Sequence, residues 1–145
     1  MSGLDVRSLR LPSTARSTME ARHFVVETVE SWGFADLADT AALLTSEVVT
    51  NAVLHARTEL LVDVRRVDAG VEVAVTDGSS RGLVRRQTTA DATTGRGMGL
   101  LDVLASDWSV TSRSDGKTVA FTVLEGADPW AAWADGELGR EGRQA

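Results

Sequence analysis

The stretch SEVVTNAVLHA, residues 46–56, decides how this chain is read. Glu47, Asn51 and His55 recur in it at every fourth position, and at about 100° per residue three such side chains spread over only about 80° of a helix. They share one face. Leu43 and Leu54 project on one side of that arc while Leu44 and Val48 interleave with it, so an acid, an amide and an imidazole sit within an apolar surface. Burying such groups without partners is costly, and something polar is expected to meet them. A purely structural account competes with this: Glu47 solvated at an edge, Asn51 bonding a neighbouring loop, His55 satisfied near the helix end.

Working outward, this helix opens at Asp39 or Thr40 and continues to about Arg57. Before it, VRSLRL alternates weakly and meets Pro12 and Ser13, a helix entry with Ser13 as the capping hydroxyl. A first helix is predicted from Thr14 to about Trp32, burying Met19, Val25, Val26, Val29 and Trp32, with Gly33 ending it. After the central helix, Leu60 to Val67 and Val71 to Asp77 are β-branched runs around a DAG turn, an antiparallel hairpin. From Gly78 to Thr94 the chain turns polar, in the manner of a lid or binding loop. GRGMGLLDVLASDW opens on glycines and settles into a short helix, and strands near Trp108 to Ser112 and Thr118 to Leu124 flank SDGK. The order helix, helix, hairpin, loop, helix, hairpin predicts an α+β fold: a two-layer sandwich, with the helices on one face of a mixed, mostly antiparallel sheet. Residues 1–125 form the expected domain, and 126–145, small, polar and Gly-rich, a disordered tail.

Composition agrees with one domain, since the 145 residues approach the roughly 150 of a typical domain. The hydrophobic share of 43% is too high for a disordered chain. A net charge of −6 gives no basic field for phosphate backbones, so no nucleic-acid partner is expected. No cysteine is present, which excludes disulfides, thiolate nucleophiles and cysteine metal sites, and any metal must lean on oxygen ligands. The first twelve residues lack a signal-peptide core and no uninterrupted apolar run reaches roughly 18 residues. A cytoplasmic protein with no membrane partner is the expectation.

Two further clues lie downstream. Val71, Val73 and Val75 alternate with Glu72, Ala74 and Thr76, which places Asp77 in phase with the valines at the end of the core-facing row. A carboxylate there is an acceptor suited to an exocyclic amine such as that of adenine; Asp77-Gly78 also reads as the start of a turn. Gly95, Gly97 and Gly99 stand immediately before a helical pattern, where bare amides and the positive helix end favour an anion such as phosphate. The run lacks the strand that a dinucleotide fingerprint requires before it. Gly116-Lys117-Thr118 is not a phosphate-binding P-loop, because Thr111 holds the first-glycine position and a strand pattern follows. Arg81, Arg85 and Arg86 in the long loop could reach a ligand phosphate or be solvated, and Trp130 and Trp133 in the tail could anchor a partner or be untethered.

The ordered set Glu-x3-Asn-x3-His on a helix, Asp-Gly after a strand and GRGMGL after a long loop resembles the Bergerat-type ATP-binding fold of gyrases, mismatch-repair ATPases, heat-shock chaperones and histidine kinases. The resemblance covers roughly residues 9–124. SEVVTNAVLHA and LRLPSTARSTMEARHFVVETVESWG look most like the bacterial anti-sigma factor serine/threonine kinases. In that resemblance Glu47 corresponds to the general base, Asn51 to the Mg²⁺ ligand, and His55, one turn beyond, lines the phosphate side. Asp77 with Gly78 matches the adenine-amine acceptor, and Thr118 resembles the hydroxyl beside the same base. Gly95, Arg96, Gly97, Met98, Gly99 and Leu100 match the box that closes over the phosphates, with residues 78–94 as its lid. DGSSRG departs from the usual pattern, because the next glycine after Gly78 comes only at Gly82. The resemblance implies an ATP- and Mg²⁺-dependent serine/threonine protein kinase that binds a sigma factor and phosphorylates an anti-anti-sigma antagonist. Its alternative is a non-catalytic, ATP-sensing binding module. Homodimers are common in the resembled family, and no phosphoacceptor-histidine helix precedes the domain, so a complete sensor histidine kinase is not expected.

Overall fold

The computed structural model describes residues 5–79 and 96–126, with 96–98 by backbone alone. The 78–94 lid beyond Ser79, Gly95, the three loop arginines and nearly all of the 126–145 tail lie outside the described residues. Strand β1 (Val6–Leu11) leads into helix α1 (Arg16–Ser31), a 3-10 turn (Ala35–Leu37) and helix α2 (Ala38–His55). Strands β2 (Leu60–Val67) and β3 (Gly70–Asp77) follow as a hairpin, then helix α3 (Arg96–Leu104) and a second hairpin, β4 (Asp107–Arg113) and β5 (Gly116–Leu124). The sheet order is β1-β2-β3-β5-β4.

All four pairings among the described strands are antiparallel, so the sheet expected to be mixed but mostly antiparallel is wholly antiparallel there. The connections explain it. The helical pair α1–α2 carries the chain back to lay β2 antiparallel against β1, and the second hairpin folds β5 inward between β3 and β4. Leu60, Val62, Val64, Val71, Val73, Val75, Val119, Phe121 and Val123 point to one face and are buried there. α1 and α2 cover that face with stripes that include Ala21, Val25 and Val29, and Leu44, Val48 and Ala52. The other face carries small and polar residues, among them Ser8, Ala74, Ala120 and Ser109, together with the Arg65–Glu72 ion pair at 2.6 Å. This one-sided alternation is what an antiparallel sheet covered on a single face requires.

Three local expectations are corrected. Ser13 does not cap α1, whose N-cap is Ala15 with no side-chain hydrogen bond; the Ser17 hydroxyl instead donates back to the Pro12 carbonyl at 2.6 Å and organises the entry. Met19 is 55% exposed, because it falls off the Ser17, Ala21, Val25 and Thr28 stripe, while Val26 and Trp32 are half-buried against the core. α2 starts at Ala38, one residue before Asp39, since the 3-10 turn runs straight into it and supplies the entry without a side-chain cap. By length and composition alone, Ala35–His55 meets the measure for a membrane-crossing helix; here its buried stripe packs on α1 and the sheet.

Candidate functional site

The stripe of α2 that faces the core runs through Thr40, Ala41, Leu44, Thr45, Val48, Val49 and Ala52. Glu47, Asn51 and His55 flank it: the first two are half-buried and His55 is exposed. The row therefore marks the margin of the core. Of the two leucines expected to project on the other side of the row, Leu43 is half-buried against the core while Leu54 is 61% exposed, so the row is apolar on the Leu44 and Val48 side and only partly covered on the other. Among the described residues none of the three polar side chains makes a hydrogen bond or an ion pair. An acceptor-only carboxylate, an amide and an imidazole thus stand beside one another with their bonding capacity unused. His55 lies in the last turn of α2.

Asp77 closes the helix-covered row of β3 as its phase requires, and its side chain is only 2% exposed. Its turn reading holds on one oxygen, and the other oxygen faces a cation. Oδ1 accepts the Ser79 backbone N–H at 2.8 Å, the turn-forming bond of an Asp two residues back, while Oδ2 stands 3.7 Å from Lys117 Nζ. Directly across the ladder from Asp77 are Leu60 on one side and Lys117 on the other. Thr118 is not beside Asp77: it pairs with Thr76, and the two hydroxyls meet at 2.8 Å on the opposite face of the sheet. Residues one apart on a strand point to opposite faces, so Lys117, in phase with the buried Val119, Phe121 and Val123, takes the place expected of the hydroxyl.

The surrounding backbone fixes this corner. Thr58, in the link from α2 to β2, accepts the Gly78 N–H at 2.8 Å, which ties the end of the α2 connection to the end of β3. Gly116 lies so close to the Asp77 carbonyl that an added Cβ would collide with its oxygen; only a glycine lets β5 begin there. The place of Thr58, Gly116 and Lys117 at this corner is not what the sequence reading assigned them. The valine phase of β5, extended two residues back from Val119, was the available signal for Lys117.

Of the glycine box, the backbone of Arg96, Gly97, Met98 and Gly99 forms the first turn of α3, which packs on α2. Leu100 is half-buried against the core beside Leu101 and Leu104, so its side chain serves packing. Gly99 differs from Gly116: a Cβ there would meet nothing within 4 Å among the described residues. Neither a close neighbour nor a left-handed backbone calls for glycine at that helical position.

Among the described residues no cluster of three or more acidic, histidine or cysteine side chains could form a metal cage. Magnesium seldom needs one, being held by one or two protein oxygens with phosphates and water making up the rest. The unpartnered Asn51 amide is a donor of that kind. Residues 11–123 match the family model described as a histidine kinase-like ATPase domain. No curated protein matches the chain.

Proposed function

Because the chain belongs to the histidine kinase-like ATPase domain family, an ATP-binding domain, we propose that it is a cytoplasmic serine/threonine kinase of the anti-sigma type, taking ATP at the α2–β3 corner. The observation that carries this reading is the pairing of an open, unpartnered polar row on α2 with a nearly buried Asp77 at the end of β3. Such a corner offers one acceptor to a base and several polar groups to phosphates and a reacting hydroxyl. Gly99 supports it: in a helix, glycine is about 1 kcal/mol less favourable than alanine, and among the described residues no packing neighbour gives a return for that loss. Close approach of a phosphate to the backbone would.

In this reading Asp77 accepts the exocyclic amine of adenine, and Gly95, Gly97 and Gly99 leave the backbone bare where the phosphates approach. Bound magnesium would neutralise phosphate charge, with the Asn51 oxygen as its protein ligand. Glu47 accepts the proton of the attacking serine or threonine hydroxyl while that oxygen bonds the γ-phosphorus and ADP departs; His55 lies one turn further, on the phosphate side. Proton transfer of this kind contributes roughly 10²–10⁴-fold to rate, positioning and charge neutralisation supplying most of the remainder. The partners are a sigma factor and the anti-anti-sigma protein that receives the phosphoryl group.

Calorimetric titration with Mg-ATP and transfer of labelled phosphate to a cognate antagonist test the proposal together. Wild type should bind and transfer; Glu47→Ala should bind with similar affinity and transfer at least about 100-fold more slowly. Binding without transfer in the wild type leaves a non-catalytic ATP sensor, and equal transfer by both proteins removes Glu47 from the role of base.

A further inference from the structure

Lys117 is used by none of the steps above, yet it occupies the most constrained position next to Asp77. Val75 and Val119 face each other across β3 and β5, both buried, and two residues on the same side come Asp77 and Lys117. Directly opposed residues in an antiparallel pair lie on one face with their Cβ atoms about 5 Å apart. The Lys117 side chain is 19% exposed, and its Nζ stands 3.7 Å from Asp77 Oδ2. That separation attracts but is too long for a hydrogen bond, and Nζ makes none among the described residues. Three donors and the free lone pairs of Oδ2 are thus presented side by side, and Nζ can turn to a new acceptor without breaking a bond.

Resting on the reading of Asp77 as the amine acceptor, we propose that Lys117 is a second base-reading residue, donating to the ring nitrogen that flanks the adenine amine. Adenine carries a donor, its exocyclic amine, beside ring acceptors at N1 and N7; Asp77 and Lys117 offer the complementary acceptor and donor. Guanine placed in the same pose sets its carbonyl oxygen against the carboxylate and, on the N1 side, a ring N–H against the ammonium. Both oppositions leave buried polar groups unpaired, the strongest basis for rejecting a near-isostere. Thr118, turned to the other face with Thr76, cannot supply this contact.

The test compares ATP with 1-deaza-ATP and 7-deaza-ATP, each lacking one ring acceptor, by calorimetry on the full chain. Wild type should lose about tenfold or more in affinity for one of the two analogues, and which one identifies the nitrogen. Lys117→Met should bind ATP about as weakly as wild type binds that analogue, and no longer distinguish the two. Lys117→Arg, which keeps a charged donor beside Asp77, should retain part of the discrimination and guards against a Met variant that fails to fold. The proposal is overturned if wild type binds ATP and both analogues equally, or if Lys117→Met binds ATP more tightly, which would make the lysine a competitor for Asp77. Failure of wild type to bind ATP at all is a separate outcome that overturns the ATP-site assignment itself.

Discussion

Removing either member of the Asp77–Lys117 pair should destabilise the protein unequally, and the structure sets the order. At 3.7 Å two unit charges attract by about 4 kcal/mol in an effective dielectric near 20, most of which desolvation offsets while the pair is intact. The offset disappears when one partner is removed. Lys117→Met leaves a carboxylate whose side chain is 2% exposed, with only the Ser79 N–H to compensate it, and should cost about 3 kcal/mol. Asp77→Asn leaves a lysine that is 19% exposed and on a flexible stem that can carry its ammonium to water; the new amide can still accept the Ser79 N–H, so the loss should be about 1–2 kcal/mol. Urea denaturation of both single variants and the double variant measures each loss and the coupling, which should exceed about 1 kcal/mol for residues in contact. An Asp77→Asn loss equal to or larger than that of Lys117→Met would refute the reasoning, because it would mean that the lysine is the trapped charge.

Thr45 is fully buried with a hydroxyl that finds no partner among the described residues; Thr45→Val keeps the shape, removes the orphaned group and should stabilise the fold by about 1 kcal/mol, seen as a higher urea midpoint at unchanged slope. A lower midpoint would show that the hydroxyl is bonded in solution. Gly99→Ala should also stabilise the unliganded protein, by up to about 1 kcal/mol through helix propensity, while reducing the thermal shift given by Mg-ATP. An alanine variant that is more stable and responds fully to ATP would deprive this glycine of its ligand-binding role.

Element types and the placement of the main candidate residues on them were legible because two periodicities run cleanly through the chain. The alternating valines of β3 placed both the core and Asp77, and the four-residue spacing placed the row on α2. Where the sequence misled, a competing local interaction was at work. Ser13 has the chemistry of a cap, but Ser17, the second residue of the helix and fully buried, reaches back to Pro12. Leu54 looks like a wall of the site, yet the stripe that packs is centred on Val48 and Ala52, which turns Leu54 outward. Thr118 has the hydroxyl but not the strand phase, and a one-residue step exchanges the two faces of a strand. Thr58 could not be found by pattern, since its bond to Gly78 spans twenty residues of sequence and depends on the β2–β3 register.

The link between α2 and β2 keeps the end of the polar row close along the chain to the end of β3. Only residues 56–59 separate His55 from Leu60, and Leu60 lies directly across from Asp77. Five residues of chain reach at most about 18 Å even when fully extended, and this link is not extended: Arg57 adopts a left-handed conformation with φ of 58° just past the end of α2. For a residue other than glycine that conformation costs roughly 1–2 kcal/mol, so something must hold it. Thr58 does, accepting from Gly78 with its hydroxyl oxygen and donating to the Glu59 carbonyl. The strained turn thus fastens the end of α2 to the end of β3, and at 1.5 Å per residue Glu47 then lies about 12 Å further along the helix than His55. The imidazole is the member of the row nearest to Asp77 along the chain and the carboxylate the most remote, an order that suits a ligand held by a base at one end and reacting at the other.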